Sequence, residues 1–313
     1  MSETGAYRRP CVGPDKDASM MACPICCSDS EVSISAIDEN HRVSSDVFTY
    51  ATCKACSTIY LTNPPADLGR YYEADYYDIP SIERLFELAA KDPNKIEIVN
   101  RFANGKRLLE IGPAFGVFAL QAKQHGYDVD VIEMDCRCCD YLRDTVKVGV
   151  TQSDKPELTL SDLPQYDVIA LWHVLEHLHA IPAVVEAAAA NLKPGGILVV
   201  AKPNPDAAQF GLMGAHWPHL DAPRHLALIP IETLEKLGAE HGLEVEFITT
   251  DDSDARSWNR YGWQRLLMNR FTSKTMQRVM LVLGYGIGML AAPFDRRSMR
   301  GAAYTMVLKK WAL

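Results

Sequence analysis

From Arg107 onward, short apolar runs alternate with stretches of helical periodicity. The runs fall at 107–111, 128–132, 148–152, 166–171, 196–201, 243–249 and 302–309. A chain that alternates in this way buries both faces of a parallel sheet under helices, so the spacing predicts an α/β fold. The 313 residues suffice for about two domains at roughly 150 residues each. Lys and Arg total 32 against 40 Asp and Glu, a net charge of −8. Nucleic-acid binding needs an excess of cations to displace counterions, so no nucleic-acid partner is expected. The N-terminus lacks an apolar signal region, and no uncharged apolar run reaches the ~20 residues that cross a bilayer. A cytoplasmic location is expected, with one reservation taken up below.

Ahead of the alternating region lie two cysteine pairs, Cys23-Pro-Ile-Cys26 and Cys53-Lys-Ala-Cys56. Two such knuckles facing each other supply the four soft ligands of a tetrahedral structural Zn2+ site. The alternating residues between them (Val32, Ile34, Val43, Val47, Tyr50) suit a hairpin with a knuckle at each end. This predicts a zinc ribbon over 21–65 behind a flexible tail, 1–20; four reduced structural thiols are the alternative. The glycine that often follows a knuckle is replaced by Cys27 and Ser57. Cys136, Cys138 and Cys139 lack this spacing and read as helix-start residues. Residues 66–100 read as a tyrosine-rich linker and helical lid, with continuous helical spacing over 81–100.

The first strand of the alternating region ends at Glu110-Ile111 and runs into Gly112-Pro-Ala-Phe-Gly116 and an apolar helix. A strand, a glycine turn and a helix start let a ligand approach the backbone closely. The pattern is E-x-G-x-x-x-G, which fits neither the dinucleotide fingerprint nor the P-loop. The next strand ends in Glu133, where a carboxylate can accept both hydroxyls of a ribose. Further on come Trp172-His173-Val-Leu-Glu176-His177 and Leu192-Lys-Pro-Gly-Gly196.

In this order, the acidic glycine loop, ribose acid, "LEH" segment and "LKPGG" turn resemble the class I S-adenosylmethionine-dependent methyltransferases over roughly residues 100–250. With the ribbon in front, the chain is similar to bacterial zinc-ribbon methyltransferases that act on sugars, glycans, glycolipids and related metabolites. The resemblance implies a Rossmann-like seven-stranded sheet over 101–313 and S-adenosyl-L-methionine as cofactor. It implies that Glu110, Gly112 and Gly116 hold the methionine part, Glu133 the ribose and Met134 the adenine flank. Trp172 and His173 would line the methyl end, and Asp154 would reach the adenine amine. Ala114 stands where the family often has glycine, and Pro113 removes a backbone donor. Tyr72 and Tyr76 form either a lid over the cofactor or aromatic glue beneath the ribbon.

Methyl transfer requires an oriented acceptor and often a base to take its proton. The segment His216-Trp-Pro-His219-Leu-Asp221-Ala-Pro-Arg224-His225 is dense in candidates. His225 is expected as general base, Asp221 as its orienting partner, and His173 at the same mouth. Arg224 would pair either a substrate phosphate or Asp221. Quinone O-methyltransferases with a similar segment suggest a metal on Glu176 and His177, although His173 stands where a third acidic ligand would be wanted.

Residues 256–300 carry nine basic side chains and one acid, Asp295, around an uncharged run from Val279 to Phe294. One reading is an interfacial helix on anionic lipid, with peripheral contact at the inner membrane face. The other is a basic patch for a soluble polyanion such as a nucleotide-sugar, its charges on one helical stripe. The expected function is therefore methylation, O-directed in preference to C-directed, of an anionic sugar, glycan, lipid-linked or nucleotide-linked acceptor. Alternatives are an RNA base methyltransferase, a small-molecule (quinone or natural-product) methyltransferase, and a cofactor-binding protein without turnover.

Overall fold

The computed structural model describes residues 21–72 and 78–311, so the expected tail and Tyr76 lie outside the described residues. Four strands come first: β1 Met21–Ala22, β2 Asp29–Ala36, β3 Phe48–Cys53 and β4 Ile59–Leu61. They pair antiparallel in sequence order, and β2 and β3 form the hairpin expected between the cysteine pairs, with Ser30 opposite Cys53. Two helices follow, α1 Ile82–Lys91 and α2 Asn94–Phe102. The single helix expected over 81–100 is interrupted because Pro93 disfavours helical backbone at the residue before it, and Asp92 turns extended (φ −134°, ψ 92°).

The alternating region then runs β5 Arg107–Ile111, α3 Val117–Gln124, β6 Asp128–Glu133, α4 Cys136–Tyr141, β7 Gly149–Gln152 and α5 Pro156–Thr159. It continues through β8 Tyr166–Trp172, α6 Ile181–Asn191, β9 Leu192–Pro203, α7 Ala208–Met213, β10 Ala227–Leu228 and α8 Ile231–Ala239. The last elements are β11 Leu243–Thr249, α9 Ser253–Met268, α10 Lys274–Asp295 and β12 Ala303–Lys310. Seven of the strands make one sheet in the order β11-β12-β9-β8-β5-β6-β7. β9, β8, β5, β6 and β7 are parallel, and β12 runs antiparallel between β9 and β11.

Side chains of successive strand residues point to opposite faces, and each face is covered. Leu109, Ile169 and Leu198 pack beneath α6 and α8 with Val185 and Leu234. Their neighbours Leu108, Val168 and Val199 pack on the other face with Leu85, Ile96 and Phe118. This is the Rossmann-like arrangement with helices on both faces. The chain leaves β5 toward β6 in one direction and β8 in the other. A strand order that reverses in this way opens a crevice beyond the carboxyl ends of the strands.

The first sheet is joined to the second. β10 adds to its edge, with Ala227 opposite Tyr60 and Leu228 opposite Ile59. Arg224, three residues earlier, is fully buried. Its Nη2 donates to Asp38 Oδ1 in the loop after β2 (2.7 Å) and to Asp221 Oδ1 (2.9 Å), and its Nε donates to Asp221 Oδ2 (2.9 Å). Asp38 also accepts the backbone N–H groups of His41 and Val43.

The segment after β9 folds into α7 and two short 3-10 turns, 214–216 and 218–220. The basic residues expected on one stripe are divided between α9 and α10, because the chain turns at 269–273.

Removing the Arg224 guanidinium would leave the buried Asp38 and the largely buried Asp221 carboxylates without a countercharge, which costs about 3–5 kcal/mol. Arg224→Ala should therefore lower the thermal unfolding midpoint strongly. Arg224→Lys should recover only part of the loss, since a point charge cannot fork onto Asp221 and reach Asp38 together.

Candidate active site

The turn after β5 places backbone where a ligand can meet it. Gly112 has φ +70°, and a Cβ there would lie 2.5 Å from a Val174 methyl. Gly116 has φ +87°, and a Cβ there would lie 2.5 Å from Leu142 Cδ2. Ala114 also adopts left-handed backbone, φ 53°, so alanine accepts the conformation in which the family often has glycine. Gly116 caps the start of α3 without a side-chain hydrogen bond to its first amides.

Glu110, at the end of β5, is buried, and its Oε2 has no hydrogen-bond partner. Burial pushes its carboxyl up to about 8, against the pull of Lys95 in α2. Glu133 ends β6 and accepts three backbone N–H groups, from Met134 (2.8 Å), Asp135 (2.9 Å) and Ala114 (3.0 Å). The acid is thus already bound to the glycine turn, and with one N–H on Oε2 it keeps acceptor capacity. Met134 is exposed beside it, and Asp154, beyond β7, is exposed as well. Trp172 ends β8 edge-on to Phe118 at 5.2 Å, with the Lys95 ammonium 5.1 Å above its ring.

A cavity of about 400 Å3 opens beside this crevice. His173, His177, His219 and His225 line it together with Trp258 and Tyr261. Asn40 and His41 close it from the loop after β2, and Asp221 and Ser257 complete the wall. His173 and His225 therefore share one cavity, as expected. His225 Nδ1 lies 2.8 Å from the His219 carbonyl, which can only accept, so Nδ1 carries the proton and Nε2 the lone pair. Burial and the neighbouring His177 lower its pKa to about 4, so the ring stays uncharged at neutral pH.

Asp221 does not orient His225. Both its oxygens receive Arg224, and Oδ1 also accepts Asn40 Nδ2 (2.6 Å). The orienting group is a backbone carbonyl, and the expectation for Asp221 is corrected accordingly. Arg224 is likewise occupied by Asp221 and Asp38, which leaves no free guanidinium fork for a substrate phosphate. Tyr72 OH lies 2.9 Å from His177 Nδ1, so this tyrosine reaches the histidine-lined cavity.

Two groups missed at the sequence level shape the cavity. Asp254 Oδ2 lies 2.6 Å from His173 Nε2, and Trp258 stacks on the same imidazole with centroids 3.9 Å apart. Asp254, Ser257, Trp258 and Tyr261 follow the i, i+3, i+4, i+7 spacing of one helical face, and this was the legible signal. Burial disfavours the charged form of His173, but Asp254 and Glu176 outweigh it and raise the pKa to about 9. Glu176 is fully buried, with neither carboxylate oxygen hydrogen-bonded. His173 holds it ionised against that burial. Glu176, His177 and His225 each present a donor atom within 4.8 Å of the others, the set a divalent cation would need.

The four cysteines of the two knuckles also converge, their sulfurs all within 4.8 Å. Ile25 N–H points at Cys23 Sγ and Ala55 N–H at Cys53 Sγ, both at 3.4 Å. Cys27 and Ser57 take the left-handed backbone of the replaced glycines, with φ 59° and 57°.

The raised His173 pKa carries a definite sign. Protonated His173 stabilises the fold fully below its unfolded value of 6.5, and that contribution disappears as pH rises through about 9. Denaturant titrations should show stability falling across this window in the wild type. Asp254→Asn should flatten the fall and move the His173 ring titration, followed by NMR, toward neutrality.

A family model described as a methyltransferase domain matches residues 81–247. A ubiquinone biosynthesis O-methyltransferase from Bordetella avium (strain 197N) is 29% identical over 140 residues, covering 42% of this chain and 58% of that protein. One of the same name from Nitrosococcus oceani is 27% identical over 172 residues, covering 50% and 72%. The chain spans about half the length of the first curated relatives it matches. Phosphoethanolamine N-methyltransferase 2 of Haemonchus contortus, solved with S-adenosyl-L-methionine, shares the fold with a TM-score of 0.52. It is 13% identical, with 85% of this chain and 63% of that chain covered. Since the family match takes in more than half of its residues, the chain belongs to the methyltransferase-domain family, within the class I S-adenosylmethionine-dependent methyltransferases.

Proposed function

We propose that the chain methylates a hydroxyl group of a small ring-bearing acceptor held in the histidine cavity. The observation that carries this reading is His225, an uncharged imidazole whose tautomer is fixed by the His219 carbonyl and which lines the cavity beside the glycine turn. When bound, S-adenosylmethionine would supply a methyl group activated by its sulfonium, the S–CH3 bond breaking to leave the neutral thioether S-adenosylhomocysteine. The residues suit that cofactor: Glu110 offers an unpaired buried oxygen, and the glycine turn offers close backbone. Glu110, Gly112 and Gly116 would hold its methionine part, Glu133 the ribose, Met134 and Asp154 the adenine, and Trp172 and His173 the methyl end.

Tyr261 and the imidazoles that stack on Trp258 give the cavity an aromatic wall, and the names of the quinone-biosynthesis relatives lend the ring acceptor support. A sugar or glycan acceptor is the second reading, favoured by the polar groups Asn40, His41 and Ser257 along the same wall. In either case His225 takes the hydroxyl proton. The thiol cluster is read as a structural Zn2+ site, because four sulfurs on two facing knuckles leave no open ligand position for chemistry.

Two measurements test the cofactor and base assignments. Glu133→Ala should weaken S-adenosylhomocysteine binding about 10- to 100-fold by calorimetry, the value of one or two charge-assisted hydrogen bonds. His225→Ala should leave that binding unchanged and slow labelled methyl transfer to a panel of catechols and hydroxysugars about 100-fold or more. Unchanged turnover would remove His225 from the base role, and the arm of the panel that gains label decides between the two acceptors. For the cluster, a strong chelator should release stoichiometric zinc and lower the melting point. Cys53→Ser should purify without that zinc.

A further inference from the structure

α10 is buried along one narrow stripe only. Gly284 and Gly288 lie against α9, where a Cβ on Gly284 would come within 2.5 Å of Gln264 Cα. The rest of the circumference is exposed and apolar over 279–294, with Val282 69%, Leu290 80% and Phe294 71% exposed. A monomer in water rarely presents so large a contiguous apolar surface.

The helix is long and apolar enough to cross a membrane by length and composition, where the uncharged run alone had looked too short. Its connections exclude that orientation. α10 enters from α9, on which it packs, and leaves through Arg296 to β12, which pairs with β9 inside the sheet. Both ends are therefore held on one side, and the apolar face can meet lipid only lengthwise, over roughly 33 Å. Exposed cations stand at both ends: Arg270, Lys274 and Arg278 at one, Arg297 and Arg300 at the other. Two copies packed face to face would set these clusters against each other in either direction. An anionic surface complements both at once.

We infer that the outer face of α10 docks the protein, as a monotopic helix, on anionic lipid. α9 is the wall between that face and the acceptor cavity, since Trp258 and Tyr261 line the cavity while Arg260 and Gln264 meet α10. Docking thus places α10 and α9 between the lipid and the cavity, a separation of about two helix diameters, ~20 Å.

Vesicle flotation of the full chain tests this without reference to methyl transfer. The chain should float with phosphatidylcholine vesicles containing phosphatidylglycerol at low salt, and much less with phosphatidylcholine alone. High salt should release it, since screening shortens the reach of exposed charges. Replacing Val282 and Leu290 together by Glu should abolish flotation while leaving the melting point and S-adenosylhomocysteine binding intact. Changing Arg270, Lys274 and Arg278 to Ala should weaken vesicle partitioning about fivefold per cation. Absence of flotation with anionic vesicles would overturn the inference. So would equal flotation of the Glu variant, or a dimer in sedimentation that Leu290→Glu dissolves without any vesicle binding.

Discussion

A single buried guanidinium holds the two sheets in register. Arg224 has no contact with solvent, and Asp38 from the first sheet and Asp221 from its own loop divide its donors. Burying three charges is costly, and the cost is offset only if every donor and acceptor is matched. The match fixes where the loop after β2 lies, and that loop delivers Asn40 and His41 to the cavity. Arg42 and Arg265 extend the connection by donating to the backbone oxygens of Asn269 and Asn40 respectively. The cavity is thus a joint product of the first sheet, the segment 218–225 and α9.

The reversal of strand order between β5 and β8 does the remaining positioning. It sets Gly112 beside Val174, so the cofactor turn and the first cavity histidine are separated by a single packed side chain. Charge is then distributed unevenly across the crevice. His173 is held positive by Asp254, whereas His225 and His219 are kept neutral by burial. In a low-dielectric pocket such differences persist at neutral pH, so neighbouring imidazoles can take opposite roles.

Periodicity and spacing made most of the fold legible. Short apolar runs and a helical remainder were enough to locate all seven strands of the large sheet within a few residues. The cysteine pairs converge because the β2–β3 register sets Ser30 opposite Cys53 and brings both knuckles to the same end of the hairpin. The legibility ended where one residue type had two possible partners. Asp221 and His225 are close in sequence, which suggested a catalytic pair, but the stronger donor next to Asp221 was Arg224, and its buried partner Asp38 is distant in the chain. Asp254 gave no signal alone; its meaning depends on α9 lying across His173, a tertiary fact. The division of 81–100 into two helices was readable from Pro93 and outweighed by the apolar spacing.

Backbone conformation marks the same places from another direction. Left-handed geometry costs a non-glycine residue roughly 1–2 kcal/mol, so it endures only where neighbours impose it. Ala114 takes it in the glycine turn, Cys27 and Ser57 behind the knuckles, and His173 at the end of β8 with φ 57°. Each is constrained by contacts that a relaxed backbone would forfeit. Ala114 N–H is held by Glu133, and Ser57 N–H donates to the Cys53 carbonyl. His173 donates its N–H to the Ala201 carbonyl while Asp254 and Trp258 grip its ring. The turn at His173 directs its imidazole into the cavity at the point where β8 would otherwise continue straight. The histidine-lined cavity beside the glycine turn therefore depends on a locally unfavourable residue, and the cost is borne by the Asp254–His173–Trp258 contacts that α9 contributes.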